Sequence, residues 1–106
     1  MYRFMRVLVF FDLPVADKER RKRYTEFRRF LLNDGYDMLQ YSVYARVCRG
    51  LDGAKKHINR LESHLPPEGA VRSMMVTDKQ YSDMHTHLGD ATTQEKALQD
   101  TLFTYI

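Results

Sequence analysis

Asp12 is the residue of this 106-residue chain best placed to do chemistry. It closes a run of strand formers from Arg3 to Phe11, and Leu13 and Pro14 follow it. A carboxylate where a central strand runs out can hold a hard cation or activate a water, and it can equally cap a turn. The second concentration of chemistry is cationic. From Lys18 to Arg29 there are seven basic residues (Lys18, Arg20, Arg21, Lys22, Arg23, Arg28, Arg29) against two acidic ones, Glu19 and Glu26. That segment carries +5 of a total of +3, so the rest of the chain sums to −2. A modest net charge therefore conceals a patch suited to a polyanion. A third candidate is Asp83, His85 and His87, whose alternation would turn all three to one side of a strand and offer a metal site. Exposed histidines on an edge strand are the ordinary alternative. Ser42 has no base beside it and reads as a structural hydroxyl near a bend, in contact with Asp12. Cys48 is the single cysteine, which excludes an internal disulfide and a cysteine-based zinc site within one chain.

The elements that must position these groups follow from periodicity. Val7, Val9 and Phe11 point to one face of the first strand, and Leu8 and Phe10 to the other. Such a strand is central and covered on both sides. Pro14 stops it, and Asp17 is the expected N-cap of a helix that reaches about Asn33, where Asp34-Gly35 ends it. At about 100° per residue, Tyr24, Phe27 and Leu31 share one side of that helix, with Phe30 at its edge. Lys18, Lys22 and Arg29 fall opposite, flanked by Arg21 and Arg28. Arg20 and Arg23 lie nearer the apolar border. A face made only for solubility would mix its signs.

Tyr36 to Cys48 is a second extended region with a break expected near Leu39 to Tyr41. Tyr41 and Tyr44 read as core or dimer contacts rather than stacking platforms for bases. A second helix is expected from about Asp52 to His64, with Ala54, Ile58, Leu61 and Leu65 on its buried side and Pro66-Pro67 as its stop. Its Lys55, Lys56 and Arg60 form a lesser cationic patch. Ala70 to Thr77 is another strand, Asp78-Lys79 a turn, and Gln80 to Leu88 a shorter extended piece closed by Gly89. The last residues, Leu102, Phe103, Tyr105 and Ile106, are too apolar for a free tail and are expected to pair at a sheet edge.

Hydrophobic content of 43%, with seven Tyr and six Phe, predicts a folded chain of one domain. Val7 to Phe11 is the longest apolar run, too short to span a bilayer, and no signal-type apolar core stands near the N-terminus. The expectation is a cytoplasmic protein with no membrane partner.

The order of elements predicts an α+β fold. It is the ferredoxin-like βαββαβ arrangement, an antiparallel sheet with two helices on one face. Leu8 and Phe10 then lie on the uncovered face. The expected cover is a second copy, sheet against sheet about a two-fold axis. Asp12 shares the parity of Leu8 and Phe10, which places it at the rim of that homodimer interface, near its symmetry mate.

Phe11-Asp12-Leu13-Pro14, the basic helix and Gln40-Tyr41-Ser42-Val43-Tyr44, in this order, resemble the second CRISPR-associated protein family, the small adaptation subunit that partners the CRISPR integrase. Arg46 to Asp52 and Val76 to Tyr81 are similar to the versions that accompany type II systems. The resemblance runs to about Gly89. It implies a ferredoxin-like domain over residues 1–89 and a C-terminal extension over residues 90–106 that ends in a pairing strand. It also implies a homodimer that binds duplex DNA, sits between integrase dimers and serves spacer acquisition. Members are described as Mg2+-dependent endonucleases acting on single-stranded RNA or duplex DNA, and the family's catalytic and metal-binding acid maps onto Asp12. Leu102, Phe103, Tyr105 and Ile106 suit the segment that docks on a partner. Ala45 and Arg46 stand where some relatives place an acid, which removes a possible second carboxylate.

Two expectations follow for mechanism, and one alternative stands beside them. Two Asp12 carboxylates on one axis repel unless a cation or a proton lies between them, so cleavage should rise with pH. Lys18, Arg21, Lys22, Arg28 and Arg29 should bind duplex DNA through its phosphates, without reading sequence. The alternative is a stand-alone toxin-like endoribonuclease of the VapD type, which would depend on Asp12 and need no integrase.

Overall fold

The computed structural model describes residues 3–89. The elements are β1 (Phe4–Asp12), α1 (Lys18–Asn33), β2 (Asp37–Gln40), β3 (Val43–Arg49), α2 (Gly50–Glu62), β4 (Ala70–Thr77) and α3 (Asp78–Ser82). The four strands form one antiparallel sheet in the order β2-β3-β1-β4. This is the ferredoxin-like α+β architecture, with β1 in the interior as its two apolar faces require. The expected C-terminal pairing strand lies outside the described residues.

On one face, Met5, Val7, Val9 and Phe11 of β1 pack under α1 and α2, against Phe27, Leu31, Tyr44, Ala54 and Leu61. Phe11 is the hub. Its ring meets Phe27 edge-on at 5.3 Å and lies 5.5 Å from the Tyr44 ring. α1 begins where Asp17 accepts a hydrogen bond from the Arg20 backbone N–H at 2.8 Å. It ends in a Schellman turn, with Tyr36 N–H donating to Leu31 O and Gly35 N–H to Leu32 O, and Gly35 takes the left-handed φ of +93° that this turn needs. The break expected near Leu39 is a bulge between Met38 and Gln40, followed by a tight turn with Ser42 at φ +62°.

The structure corrects the sequence reading of two elements. Leu65 lies beyond the end of α2 and is exposed. Gln80 to Leu88 is not extended. Asp78–Ser82 is a short helix, started by a capping box in which Thr77 and Gln80 satisfy each other's backbone N–H groups at 3.0 and 2.8 Å. The consequence reaches the second face of the sheet. Tyr81 of α3 packs on Leu8 and Ala45, with Leu39 and Val76 around them. Arg6 lies buried beside it, 4.1 Å from the Tyr81 ring and 3.2 Å from Asp78 Oδ1. Leu8 is therefore covered by its own chain. Phe10 is not: it remains 37% exposed, and Met74 on the neighbouring strand is 48% exposed.

Candidate nucleic-acid interface and strand-end carboxylate

Asp12 is exposed at the end of β1. It borders a shallow hollow of about 280 Å³, lined also by Phe10, Ser42, Val43, Ala70 and Arg72. Three features set its position. The antiparallel ladder pairs Asp12 with Ala70 of β4. The N–H of Phe11 donates to the carbonyl of Ser42 at 3.1 Å, which ties the strand end to the β2–β3 turn. Gly69, at φ +97°, lies so close that a Cβ there would stand 2.6 Å from the Asp12 carbonyl oxygen, so only glycine fits. Ser42 shares the hollow as expected, but no hydrogen bond joins it to Asp12 among the described residues. Arg72 enters from β4, paired with Phe10 across the ladder, and places a cation in the same hollow as the carboxylate. The sequence reading missed it. Its only signal was parity, since Arg72 shares a face with Met74 and Val76 rather than with Val71.

The predicted cationic residues separate into two groups. Lys18, Arg21, Lys22 and Arg29 lie together with Thr25 and Glu26 on one open side of α1. Lys18, Lys22 and Arg29 make no ion pair among the described residues. Arg21 donates to the backbone carbonyl of Val15 at 3.3 Å. Arg28 is diverted: its Nε donates to the Tyr44 hydroxyl at 2.9 Å, which buttresses the core edge. Arg20 and Arg23 are committed to carboxylates, as their place near the apolar border allowed. Tyr44 is a core residue as expected, whereas Tyr41 is 77% exposed. Desolvation, helped by a hydrogen bond with Tyr41, pushes the Tyr24 phenol up.

On α2, Arg60 does not belong to a free patch. It pairs with the buried Asp34 carboxylate at 3.2 Å, which also meets His57 Nδ1 at 2.9 Å. Asp34 thus joins the end of α1 to α2. Lys55 and Lys56 remain exposed. Burial pushes the Cys48 thiol up, so it is a small core residue rather than a nucleophile. The third candidate fails on geometry. Asp83 caps the end of α3, where it meets Lys79 at 3.3 Å, and His85 and His87 lie past it outside any strand. No group of three or more His, Cys, Asp or Glu able to hold a metal occurs among the described residues. No helix among them is long and apolar enough to cross a membrane.

Comparison with known proteins places these features in a family. The profile of the family described as CRISPR associated protein Cas2 matches residues 5–84. A protein named CRISPR-associated endoribonuclease Cas2 from Acidovorax ebreus is 56% identical over 93% of this chain and all of its own length. The protein of the same name from Ligilactobacillus salivarius is 51% identical over 80% of this chain and 84% of its own. The Campylobacter jejuni protein of that name is 43% identical over 96% of this chain and 71% of its own.

Proposed function

The chain belongs to the Cas2 family of CRISPR associated proteins, and from that premise we propose that it is a nucleic-acid-holding adaptation subunit with Mg2+-dependent endonuclease capacity. It binds duplex DNA without sequence preference, as a homodimer that bridges integrase dimers during spacer acquisition. The observation that carries this reading is the side of α1 where Lys18, Arg21, Lys22 and Arg29 cluster with little opposing charge. Cations on a helix face meet phosphates and fix position without reading bases. No base-reading element accompanies them among the described residues.

Support for the second copy comes from the uneven cover of the sheet. Phe10 and Met74 are exposed beside Val43 on the face that α3 leaves bare. A like surface against it removes apolar area from water at about 25 cal/mol per Å². Docking of the integrase is assigned to Leu102, Phe103, Tyr105 and Ile106, which lie outside the described residues.

Asp12 carries the nuclease part. Magnesium takes oxygen ligands and keeps several waters, so one carboxylate can hold it against a phosphate. Asp12 fits that minimal mode, completed by Asp12 of a second copy or by the substrate itself. When bound, the ion supplies charge at the phosphate and a more acidic water. Asp12 would anchor the ion and Arg72 would hold a phosphate oxygen in the same hollow, whose apolar wall is Phe10 and Val43. Relatives named endoribonuclease support RNA as a substrate class.

The test measures cleavage and binding together, with single-stranded RNA and duplex DNA and three proteins: wild type, Asp12→Asn and Lys22→Ala/Arg29→Ala. Cleavage should vanish in Asp12→Asn while binding persists. Duplex binding by the double variant should show a salt slope shallower by about 1.8, near 0.9 per lost phosphate contact. Equal cleavage by wild type and Asp12→Asn would remove the carboxylate from the mechanism. An unchanged slope would remove this side of α1 from the interface.

A further inference from the structure

Arg20 and Arg23 stand one turn apart on α1 and converge on a single carboxylate. Glu68 Oε2 accepts from Arg20 Nε at 3.2 Å, and Glu68 Oε1 accepts from Arg23 Nη1 at 3.4 Å. The remaining pairs are local to the helix: Arg20 Nη1 with Asp17 at 2.7 Å and Arg23 Nη2 with Glu19 at 2.9 Å. Glu68 differs from those two acids because it comes from the loop after Pro66-Pro67, 48 residues from Arg20 in sequence. Two guanidinium groups gripping one oxyanion is an arrangement that suits a phosphate as well as a carboxylate.

The location adds a second reason. Glu68, Arg20 and Arg23 border a narrow crevice with Leu13, Pro14, Tyr24, Pro66 and Pro67. Leu13 follows Asp12 directly, and Gly69, next to Glu68, abuts the Asp12 carbonyl. The fork therefore lies by the backbone at the end of β1, on a different side of α1 from Lys22 and Arg29, while the Asp12 carboxylate lines a separate hollow with Phe10 and Arg72. The contact is also displaceable. All three side chains are partly open to water, with 37–44% of their surface exposed, and ion pairs so placed hold weakly.

We infer that Arg20 and Arg23 form a phosphodiester seat on α1, and that Glu68 occupies this seat until a nucleic acid displaces it. The inference rests on the reading of the chain as a nucleic-acid-binding protein. It adds a second phosphate site and a built-in competitor to the exposed cationic side of α1.

The experiment compares wild type, Glu68→Gln and Glu62→Gln, the last making the same charge change at an exposed position on α2. Binding of single-stranded RNA and of duplex DNA is measured across a salt series. Glu68→Gln should bind severalfold more tightly at low salt, with a slope steeper by about 0.7 on the single strand or 0.9 on the duplex. The nucleic acid that shows the gain is the one that reaches the seat. Adding Arg20→Ala and Arg23→Ala to Glu68→Gln should return the slope to the wild-type value. The seat is overturned if Glu68→Gln behaves as Glu62→Gln does, or if the gain survives loss of both arginines. A measurement on the unmodified protein stands apart from any folding defect: titration with the same oligonucleotides should shift the 15Nε resonances of Arg20 and Arg23, and unmoved resonances overturn the seat. Wild type that binds through Lys22 and Arg29 but ignores Glu68 loses the seat alone. Binding that appears only in Glu68→Gln would mean that nucleic acid does not displace Glu68, and it overturns the inference.

Discussion

The two faces of the sheet are built from alternate residues of the same nine-residue strand, yet they end in different states. On the face under α1 and α2, Val7, Val9 and Phe11 are sealed along the whole length of β1. On the other face, the cover stops halfway. Leu8 lies under Tyr81, whereas Phe10, one pleat further on, meets water beside Arg72 and the Asp12 carboxylate. The difference separates two jobs. The sealed face holds the chain together, and the half-sealed face keeps an apolar surface and a carboxylate available at one end of the same strand.

Truncation on the sealed face should have the largest effect. Phe11 is 6% exposed and meets Tyr24, Phe27 and Tyr44 through its ring. Phe11→Ala should cost about 3–5 kcal/mol in chemical denaturation, through lost transfer energy and the cavity left behind. That is a large fraction of what a domain of this size has to spare. A cost below 1 kcal/mol would mean that the core collapses around the gap, and the face would not be the rigid one described.

Tyr81→Ala comes next. It removes the lid from Leu8 and Ala45 and strips the ring from the buried Arg6 guanidinium. We expect a cost of about 2–3 kcal/mol, less than Phe11 because α3 is a single short helix at the margin. Amide hydrogen exchange should speed up in α3 and at Leu8 while the amides of α1 stay protected. Uniform loss of protection would show that the two faces melt as one unit and erase the distinction between them.

How far this contrast could be read from the sequence depends on how local its causes are. β1 and α1 were legible almost to the residue. Period-two alternation marked the strand, Asp17 marked the start of the helix, and Asp34-Gly35 marked its end, all through contacts within a turn of themselves. α3 was legible in principle. Thr77 and Gln80 hold the spacing of a capping box, but the alternation of Asp83, His85 and His87 drew the reading toward a strand. Once those residues left the strand, the apparent metal site went with it, and Tyr81 became available to cover Leu8. The surroundings of Asp12 were not legible. Arg72 and Gly69 reach it through the register of β4 and the path of its preceding loop, and no spacing near Asp12 encodes either. The cationic side of α1 was read correctly as a stripe. Its division into exposed cations, a buttress at Arg28 and the Glu68 fork needed the positions of Tyr44 and of the loop after α2.

The smallest expected effect on stability is also the sharpest test of the half-sealed face. Phe10 occupies the same strand as Phe11 and is the same residue type, so only its surroundings differ. Phe10→Ser should cost the dilute monomer about 1 kcal/mol, less than Tyr81→Ala, because over a third of the side chain is already in water. Its effect should instead fall on association. In sedimentation at rising concentration, wild type should form a dimer and Phe10→Ser should remain a monomer, since a serine there removes apolar area from the middle of the bare patch. If wild type is monomeric throughout, a second copy is not the cover for this face. If Phe10→Ser costs the monomer as much as Tyr81→Ala does, the ring is held by its own chain and the face has no vacancy to offer. Only the combination of a mildly destabilised monomer and a lost dimer would show that the sheet keeps one end of its second face for a partner rather than for its own fold.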